Sequence, residues 1–145
     1  MLLSYNIVFK RIPLASHNNS GMEIFYRLVE RLPKIEYPVK KLTYKILEAW
    51  FQLTDKSIND KKLGHFKSLG FWLGKLTIGK GTPILIDRIN IREILVNSYT
   101  HNGCRLAMNV SVILKMIELI TQFKDVFRSS NPWLGRILGT LNEIE

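Results

Sequence analysis

The chain has 145 residues, of which 46% are hydrophobic, and a formal net charge of +9. This length suits one domain with a single core, and the hydrophobic content excludes a disordered chain. Its one cysteine, Cys104, excludes an internal disulfide framework and indicates a reducing compartment, cytosolic or nuclear. The three histidines have no partners at metal-ligand spacing, and no apolar run reaches the ~18 residues of a membrane span. We therefore expect neither a metal site nor a membrane partner.

The positive charge is concentrated in the front half of the chain. Residues 1–80 contain 14 Lys/Arg and 6 Asp/Glu, whereas residues 81–145 contain 7 and 6. A basic half indicates an acidic partner, either RNA or a negatively charged protein surface. Solvated faces of ordinary helices would give the same composition, so both interpretations stay open here.

Hydrophobic spacing predicts six helices joined by short polar breaks, and hence an all-α stack of HEAT-like helical hairpins. The first predicted helix covers residues 22–32. A turn bracketed by Pro33 and Pro38 follows, and Pro38 is predicted to open the second helix. The third helix is predicted over residues 61–78, after an N-cap at Asn59 or Asp60.

The last three predicted helices have clear start signals. Asn90 followed three residues later by Glu93 is a capping-box pattern and opens the fourth helix. The fifth is predicted to run unbroken over residues 104–127. Asn131 and Pro132 then supply an N-cap and a first-turn proline for the sixth helix.

Residues 74–82 (GKLTIGKGT) contain the G-x-x-x-x-G-K spacing of a phosphate-binding loop. Such a loop requires a helix to begin there, with its N–H groups facing the phosphates. Here a helix is predicted to end, with Gly79, Gly81 and Pro83 as its stop signals. Position 81 also lacks the hydroxyl that would hold magnesium. We therefore predict no ATPase and, since other catalytic motifs are missing too, no enzyme and no cofactor.

Two stretches carry a family resemblance. Residues 66–85 (FKSLGFWLGKLTIGKGTPIL) are similar to the pattern N-L-G-x-W-L-G-x-I-T-L-x-K-x-K-P-I-L, and residues 127–133 (FRSSNPW) to F-x-P-P-N-P-W. Between them, residues 90–99 match a capped helix that ends in Tyr. These motifs, in register from about residue 24 to residue 145, resemble the large scaffold subunit of the Ccr–Not deadenylase complex. The resemblance is to its domain of the initiation-factor-4G middle type.

The resemblance implies a non-catalytic helical platform in mRNA deadenylation and translational repression, cytoplasmic and also nuclear. Its implied partners are a DEAD-box RNA helicase, a Caf-type deadenylase nuclease and other Ccr–Not subunits. The nuclease docks toward the front of the family domain, where residues 1–21 match poorly. We expect residues 1–21 to be poorly integrated and residues 22–145 to form the scaffold domain. Three explanations stay open for the poor match of residues 1–21: a fragment, a gene model begun too late, or a divergent shortened homologue.

Several side chains have expected roles in the core or at a partner surface. Trp72 and Trp133 are expected in the core. Phe71 is either an aromatic anchor in a basic rim or, as we favour, a packing residue. Lys80 is expected to project outward, and exchanging Lys75 and Lys80 for Glu is expected to leave folding nearly intact. The candidate partner-binding residues are Lys61, Lys62, Lys67, Phe71, Lys75 and Lys80.

The alternative function is a basic helical module that binds RNA without the helicase. Phosphate contacts by lysines would make such binding weaker at higher salt. Few aromatic side chains are left to stack on bases, so any RNA binding is expected to be weak and blind to sequence.

Overall fold

The computed structural model describes residues 3, 7, 11–12, 20–52, 59–84, 88–101, 103–122 and 131–144. Six α-helices lie in these ranges: α1 Ser20–Arg31, α2 Pro33–Phe51, α3 Asp60–Leu76, α4 Ile91–His101, α5 Gly103–Ile117 and α6 Pro132–Ile144. Two 3₁₀ helices, Ile78–Lys80 and Glu118–Gln122, follow α3 and α5. No strand occurs among these residues, and the predicted all-α class is confirmed. No helix within them is long and apolar enough to cross a membrane.

The prediction that the second helix begins at Pro38 is wrong. The helix α2 already begins at Pro33, and Pro38 lies inside it. A proline suits the first helical position because the N–H that it lacks would have no partner there. Pro38 removes one backbone hydrogen bond from α2, which the remaining turns of this 19-residue helix tolerate.

Three asparagines cap helices as predicted. The Asn59 side chain accepts a hydrogen bond from the Lys62 N–H at 2.8 Å, so Asn59 and not Asp60 is the cap of α3. The Asn90 side chain accepts from the N–H three residues later at 3.2 Å. The Asn131 side chain accepts from the Trp133 N–H at 2.9 Å. Each cap satisfies an N–H group that the helix itself leaves without a partner.

The end of α3 confirms that the glycine-containing stretch is a helix stop. After Leu76 the chain tightens into the first 3₁₀ helix, and Gly81 then adopts a left-handed conformation with φ of 75°. Its N–H donates to the carbonyl of Ile78 at 2.9 Å. A residue with a Cβ is strained at this φ, which explains the glycine. The chain therefore presents helix carbonyls here and no cradle of N–H groups for a phosphate.

The helices form two layers of stacked hairpins. In one layer α1, α3 and α5 lie side by side with α3 in the middle; α2 packs on α3, α4 on α5 and α6 on α4. Trp72 on α3 is fully buried, as expected, and the half-buried Trp133 and Trp50 pack against the core. The ring of Phe66, six residues before Trp72 on the same helix, lies 4.8 Å from that of Phe51.

The contact between α3 and α5 depends on two glycines of α3. A Cβ at Gly74 would lie 2.4 Å from the carbonyl oxygen of Met116, and a Cβ at Gly70 would lie 3.0 Å from a methyl carbon of Val112. Both glycines are buried. Side chains at these positions would hold the helices apart, so the glycines fix the distance between the two backbones.

One further expectation differs from the structure. The fifth helix ends at Ile117 and continues as the second 3₁₀ helix, whereas the sequence predicts one unbroken helix over 104–127; residues 123–127 lie outside the described part. Ile7 and Ile12 are buried and belong to the hydrophobic core. Most of the segment 1–21 lies outside the described residues, so its poor integration stays a prediction.

Candidate partner-binding surface

The six candidate residues lie along α3 and the 3₁₀ helix after it. Lys61 and Lys62 are exposed in the first turn of α3. Lys67, Phe71 and Lys75 recur every fourth residue and therefore share one edge of the helix, where each is partly buried. The structure gives these residues different environments.

Lys75 and Lys80 are tied to the neighbouring helices by ion pairs. The Nζ of Lys75 lies 2.7 Å from Oε2 of Glu23 on α1, and the Lys75 side chain is only 16% exposed. The Nζ of Lys80 lies 2.5 Å from Oε1 of Glu36 on α2. Lys80 was expected to reach outward from the tip of its turn; instead it reaches back to α2. The two pairs join α1 and α2 to the end of α3.

An aromatic ring lies between these two pairs. The Nζ atoms of Lys75 and Lys80 are 4.8 and 5.9 Å from the centroid of the Tyr26 ring, within cation–π range. The same ring meets the buried Trp72 edge to face, with centroids 6.4 Å apart. We call Glu23, Tyr26, Glu36, Lys75 and Lys80 the Tyr26 cluster.

The cluster shifts the titration of its acidic members. The hydrogen bond from Lys75 lowers the pKa of Glu23 below its ordinary 4.5, and the hydrogen bond from Lys80 does the same to the pKa of Glu36. Burial, helped by the nearby Glu30 carboxylate, raises the pKa of Tyr26 to about 12. At neutral pH the cluster therefore holds two ionised carboxylates and a neutral phenol.

Phe71 lies beside this cluster and packs against the core, which agrees with the packing role that we favoured. The Nζ of Lys75 is 6.0 Å from the centroid of its ring. Glu23, Tyr26 and Glu36 were missed at the sequence level. Glu23 and Lys75 are 52 positions apart, and no local spacing connects residues so distant.

Large apolar side chains are exposed next to the cluster. Ile24 on α1 is 66% exposed, Leu32 at the junction of α1 and α2 is 41% exposed, and Tyr37 on α2 is 72% exposed. We call these three the front apolar residues. Ile24 directly follows Glu23 and Tyr37 directly follows Glu36, so two of them adjoin acidic members of the cluster. Exposed apolar side chains near satisfied charges are typical of a binding surface.

The described residues contain no group of three His, Cys, Asp or Glu side chains placed to hold a metal ion. Charges in the cluster neutralise one another, and no nucleophile with an activating base is formed there. Stacked helical hairpins with such a surface define a helical-repeat binding domain. The chain belongs to the family described as the CCR4-NOT transcription complex subunit 1 CAF1-binding domain, whose sequence profile matches residues 2–145. The expected resemblance to the Ccr–Not scaffold subunit is thereby confirmed.

Individual relatives agree with the family. The chain is 33% identical over 103 residues to "General negative regulator of transcription subunit 1" of Saccharomyces cerevisiae, covering 71% of this chain. It is 26% identical over 148 residues to "CCR4-NOT transcription complex subunit let-711" of Caenorhabditis elegans, covering 98% of this chain. The matched region is only 5% of the length of each of these two relatives.

Proposed function

We propose that this chain is a non-enzymatic scaffold domain of a CCR4-NOT complex and that it docks a Caf-type deadenylase. The observation that carries the proposal is the match of residues 2–145 to a family described by its binding of CAF1. The helical-hairpin stack supports it, because such stacks offer extended surfaces whose side chains vary without changing the core. The domain would hold the nuclease and contribute no group to its chemistry.

The front apolar residues are the proposed contact for the nuclease. The family resemblance implies nuclease docking toward the front of the domain, and α1 and the start of α2 form the front among the described helices. Ile24 and Tyr37 are the most exposed large apolar side chains there. Burying two such side chains in a partner would contribute about 1.5–3 kcal/mol each. The paired charges of the Tyr26 cluster would form a polar rim beside them.

The test measures binding of the purified chain to the Caf-type nuclease of the same organism by calorimetry. We expect Ile24→Glu combined with Tyr37→Ala to weaken binding at least tenfold. Leu114→Glu is the matched control, because Leu114 is 50% exposed on α5, away from the front. If both variants weaken binding equally, the front apolar residues are not the specific contact. If the folded wild-type chain does not bind the nuclease, the nuclease is removed from the proposal.

The edge of α3 is the proposed contact for a DEAD-box helicase, the second partner that the resemblance implies. Lys61 is exposed, and Lys67 and Phe71 are half-buried along this edge. Lys61→Glu combined with Lys67→Glu should slow association with an acidic helicase surface and reduce its salt dependence. A twelve-nucleotide uridine RNA tests the alternative function. RNA binding stronger than helicase binding, and lost in the same variant, would favour the RNA-binding module instead.

A further inference from the structure

A groove opens between the beginnings of α4 and α6. These helices lie toward the other end of the helix stack from α1 and α2, which carry the front apolar residues. The volume of the groove is about 890 Å³, within the range of ligand-binding pockets. Pro83 and Ile84, from the connection between α3 and α4, also line it. Its floor is aliphatic, because the side chains of Ile84, Ile89, Ile91 and Ile137 line it and are almost fully buried.

The walls of this α4–α6 groove carry an aromatic ring and exposed apolar surface. Trp133 is half-buried and stands in the first turn of α6. Val96 of α4 lines the groove and is 41% exposed. A bulky apolar side chain entering here would contact isoleucines below and an indole beside it. Such a combination is typical of the pockets that hold the anchor residue of a bound segment.

Two arginines give the rim a positive charge. Arg92 on α4 and Arg136 on α6 both line the groove and are both exposed. Among the described residues neither forms a salt bridge, in contrast to Lys75 and Lys80 of the Tyr26 cluster. Glu93 is the one acidic side chain among the described lining residues, so those residues together carry one positive charge in excess. The first turns of two helices add partial positive charge at the same place.

We propose that the α4–α6 groove binds an extended segment of a partner protein in which a bulky apolar side chain is flanked by acidic residues. The apolar side chain would fill the space between Ile137 and Trp133. Flanking carboxylates would pair with Arg92 and Arg136, whose planar guanidinium groups suit bidentate contacts to carboxylates. This surface is separate from the front apolar residues and does not depend on deadenylase docking.

A protein segment fits this groove better than a nucleic acid does. The floor consists of isoleucine side chains, which cannot stack on bases as aromatic rings do. Trp133 is the one aromatic side chain among the described lining residues, so at most one base could stack there. An acidic peptide has fewer charges than a phosphate backbone and supplies the apolar group that the floor requires.

The test presents the immobilised chain with a phage-displayed library of random twelve-residue peptides. We expect enriched peptides to contain Asp or Glu next to Phe, Leu or Trp. The consensus peptide, made synthetically with a fluorophore, should bind Arg92→Glu combined with Arg136→Glu at least tenfold more weakly than wild type. Lys34→Glu combined with Lys45→Glu is the matched control, because it makes the same charge change on exposed side chains of α2.

A charge swap excludes loss of folding as the cause. A peptide in which Lys replaces each acidic residue should bind the arginine variant better than it binds wild type. The proposal is overturned if no peptide is enriched, if enriched peptides lack acidic residues, or if the arginine variant binds them as well as the control does. It is also overturned if a twelve-nucleotide uridine RNA displaces the peptide and binds more tightly. If the wild-type chain dimerises at higher concentration and the arginine variant does not, the groove binds a second copy of the chain. That result would also overturn the proposal.

Discussion

On the side of α3 that faces α5, Gly70 and Gly74 bring two helix backbones together; on the side that faces α1, long charged side chains bridge the helices. The first contact leaves no space for a single added carbon, since a Cβ at Gly74 would lie 2.4 Å from a carbonyl oxygen. The second is made by Lys75 and Glu23, whose flexible side chains meet at 2.7 Å beside the Tyr26 ring. One side is close-packed, and the other is adjustable.

This difference suggests how the domain separates folding from binding. Close backbone contact defines one relative position of α3 and α5, because a close-packed protein interior has low compressibility and does not adapt to small shifts of its helices. Ion pairs at a partly exposed edge contribute little each and can be rearranged when a partner arrives. The front apolar residues accordingly lie on α1 and at the start of α2, on the adjustable side of α3.

The largest expected effect is that of Gly74→Ala. The added methyl group would overlap the Met116 carbonyl oxygen and force α5 away from α3. We expect a loss of about 3 kcal/mol in the free energy of unfolding, measured by urea denaturation. Gly64→Ala, on the same helix, is the control, because nothing lies within 4 Å of its added carbon. It should increase stability by about 0.5–1 kcal/mol, since alanine favours helix more than glycine does.

If Gly74→Ala and Gly64→Ala gave similar stability, the close contact between α3 and α5 would not exist in solution. The comparison between the two sides of α3 would then lose its basis. A crystal structure of the Gly74 variant with an unchanged distance between the helices would have the same consequence.

The second prediction replaces the expectation that Lys75→Glu combined with Lys80→Glu leaves folding nearly intact. Each new carboxylate would stand opposite an existing one, Glu23 or Glu36, at a partly buried position. Loss of two ion pairs and gain of two repulsions should cost together about 2 kcal/mol, again measured by urea denaturation. Adding Glu23→Lys and Glu36→Lys restores opposite charges and should recover at least half of that loss. No recovery would mean that the lysines act through packing.

The sequence was sufficient where a structural signal is local. Caps at Asn59, Asn90 and Asn131 need only a side chain that reaches an N–H two or three residues ahead, so they could be recognised from spacing. The burial of Trp72 was expected because large aromatic side chains supply much of the burial between paired helices. Pro33 and Pro38 misled us, because Pro33 suits the first helical position and Pro38 removes only one backbone hydrogen bond from a long, packed helix.

The candidate surface was harder to predict because it is assembled from distant parts of the chain. Lys75 and Lys80 were read as solvent-facing charges since the helix period shows only which face they share. Their partners come from α1 and α2, 52 and 44 positions away. Whether a lysine is paired or free depends on how two hairpins stack. The paired charges of the Tyr26 cluster and the excess charge of the α4–α6 groove are therefore indistinguishable in sequence.

The third prediction concerns Phe71, which lies between the two kinds of contact. Its ring is half-buried and packs against the core. Phe71→Ala should lower the free energy of unfolding by about 1.5 kcal/mol, less than the 3–5 kcal/mol typical of a fully buried Phe. Phe71→Leu keeps most of the apolar surface but has no ring for a cation–π contact with Lys75. Thermal unfolding of the Phe71→Ala and Phe71→Leu variants therefore separates the contribution of packing from that of the cation–π contact. A loss above 3 kcal/mol in the alanine variant would place Phe71 wholly in the core.

The smallest expected effect is the pH dependence of the Tyr26 cluster. Because the pKa values of Glu23 and Glu36 are lower in the folded chain than their ordinary 4.5, folding favours the ionised carboxylates. Their contribution is complete above about pH 5 and is lost as the pH falls through the folded pKa values. Both carboxylates are more than a third exposed to solvent, which screens the two ion pairs. The loss in the free energy of unfolding should therefore be under about 1 kcal/mol. Glu23→Gln combined with Glu36→Gln should flatten the acid side of the stability curve, and Glu143→Gln on α6 should not. If all three curves are parallel below pH 5, the ion pairs do not stabilise the α1 side of α3.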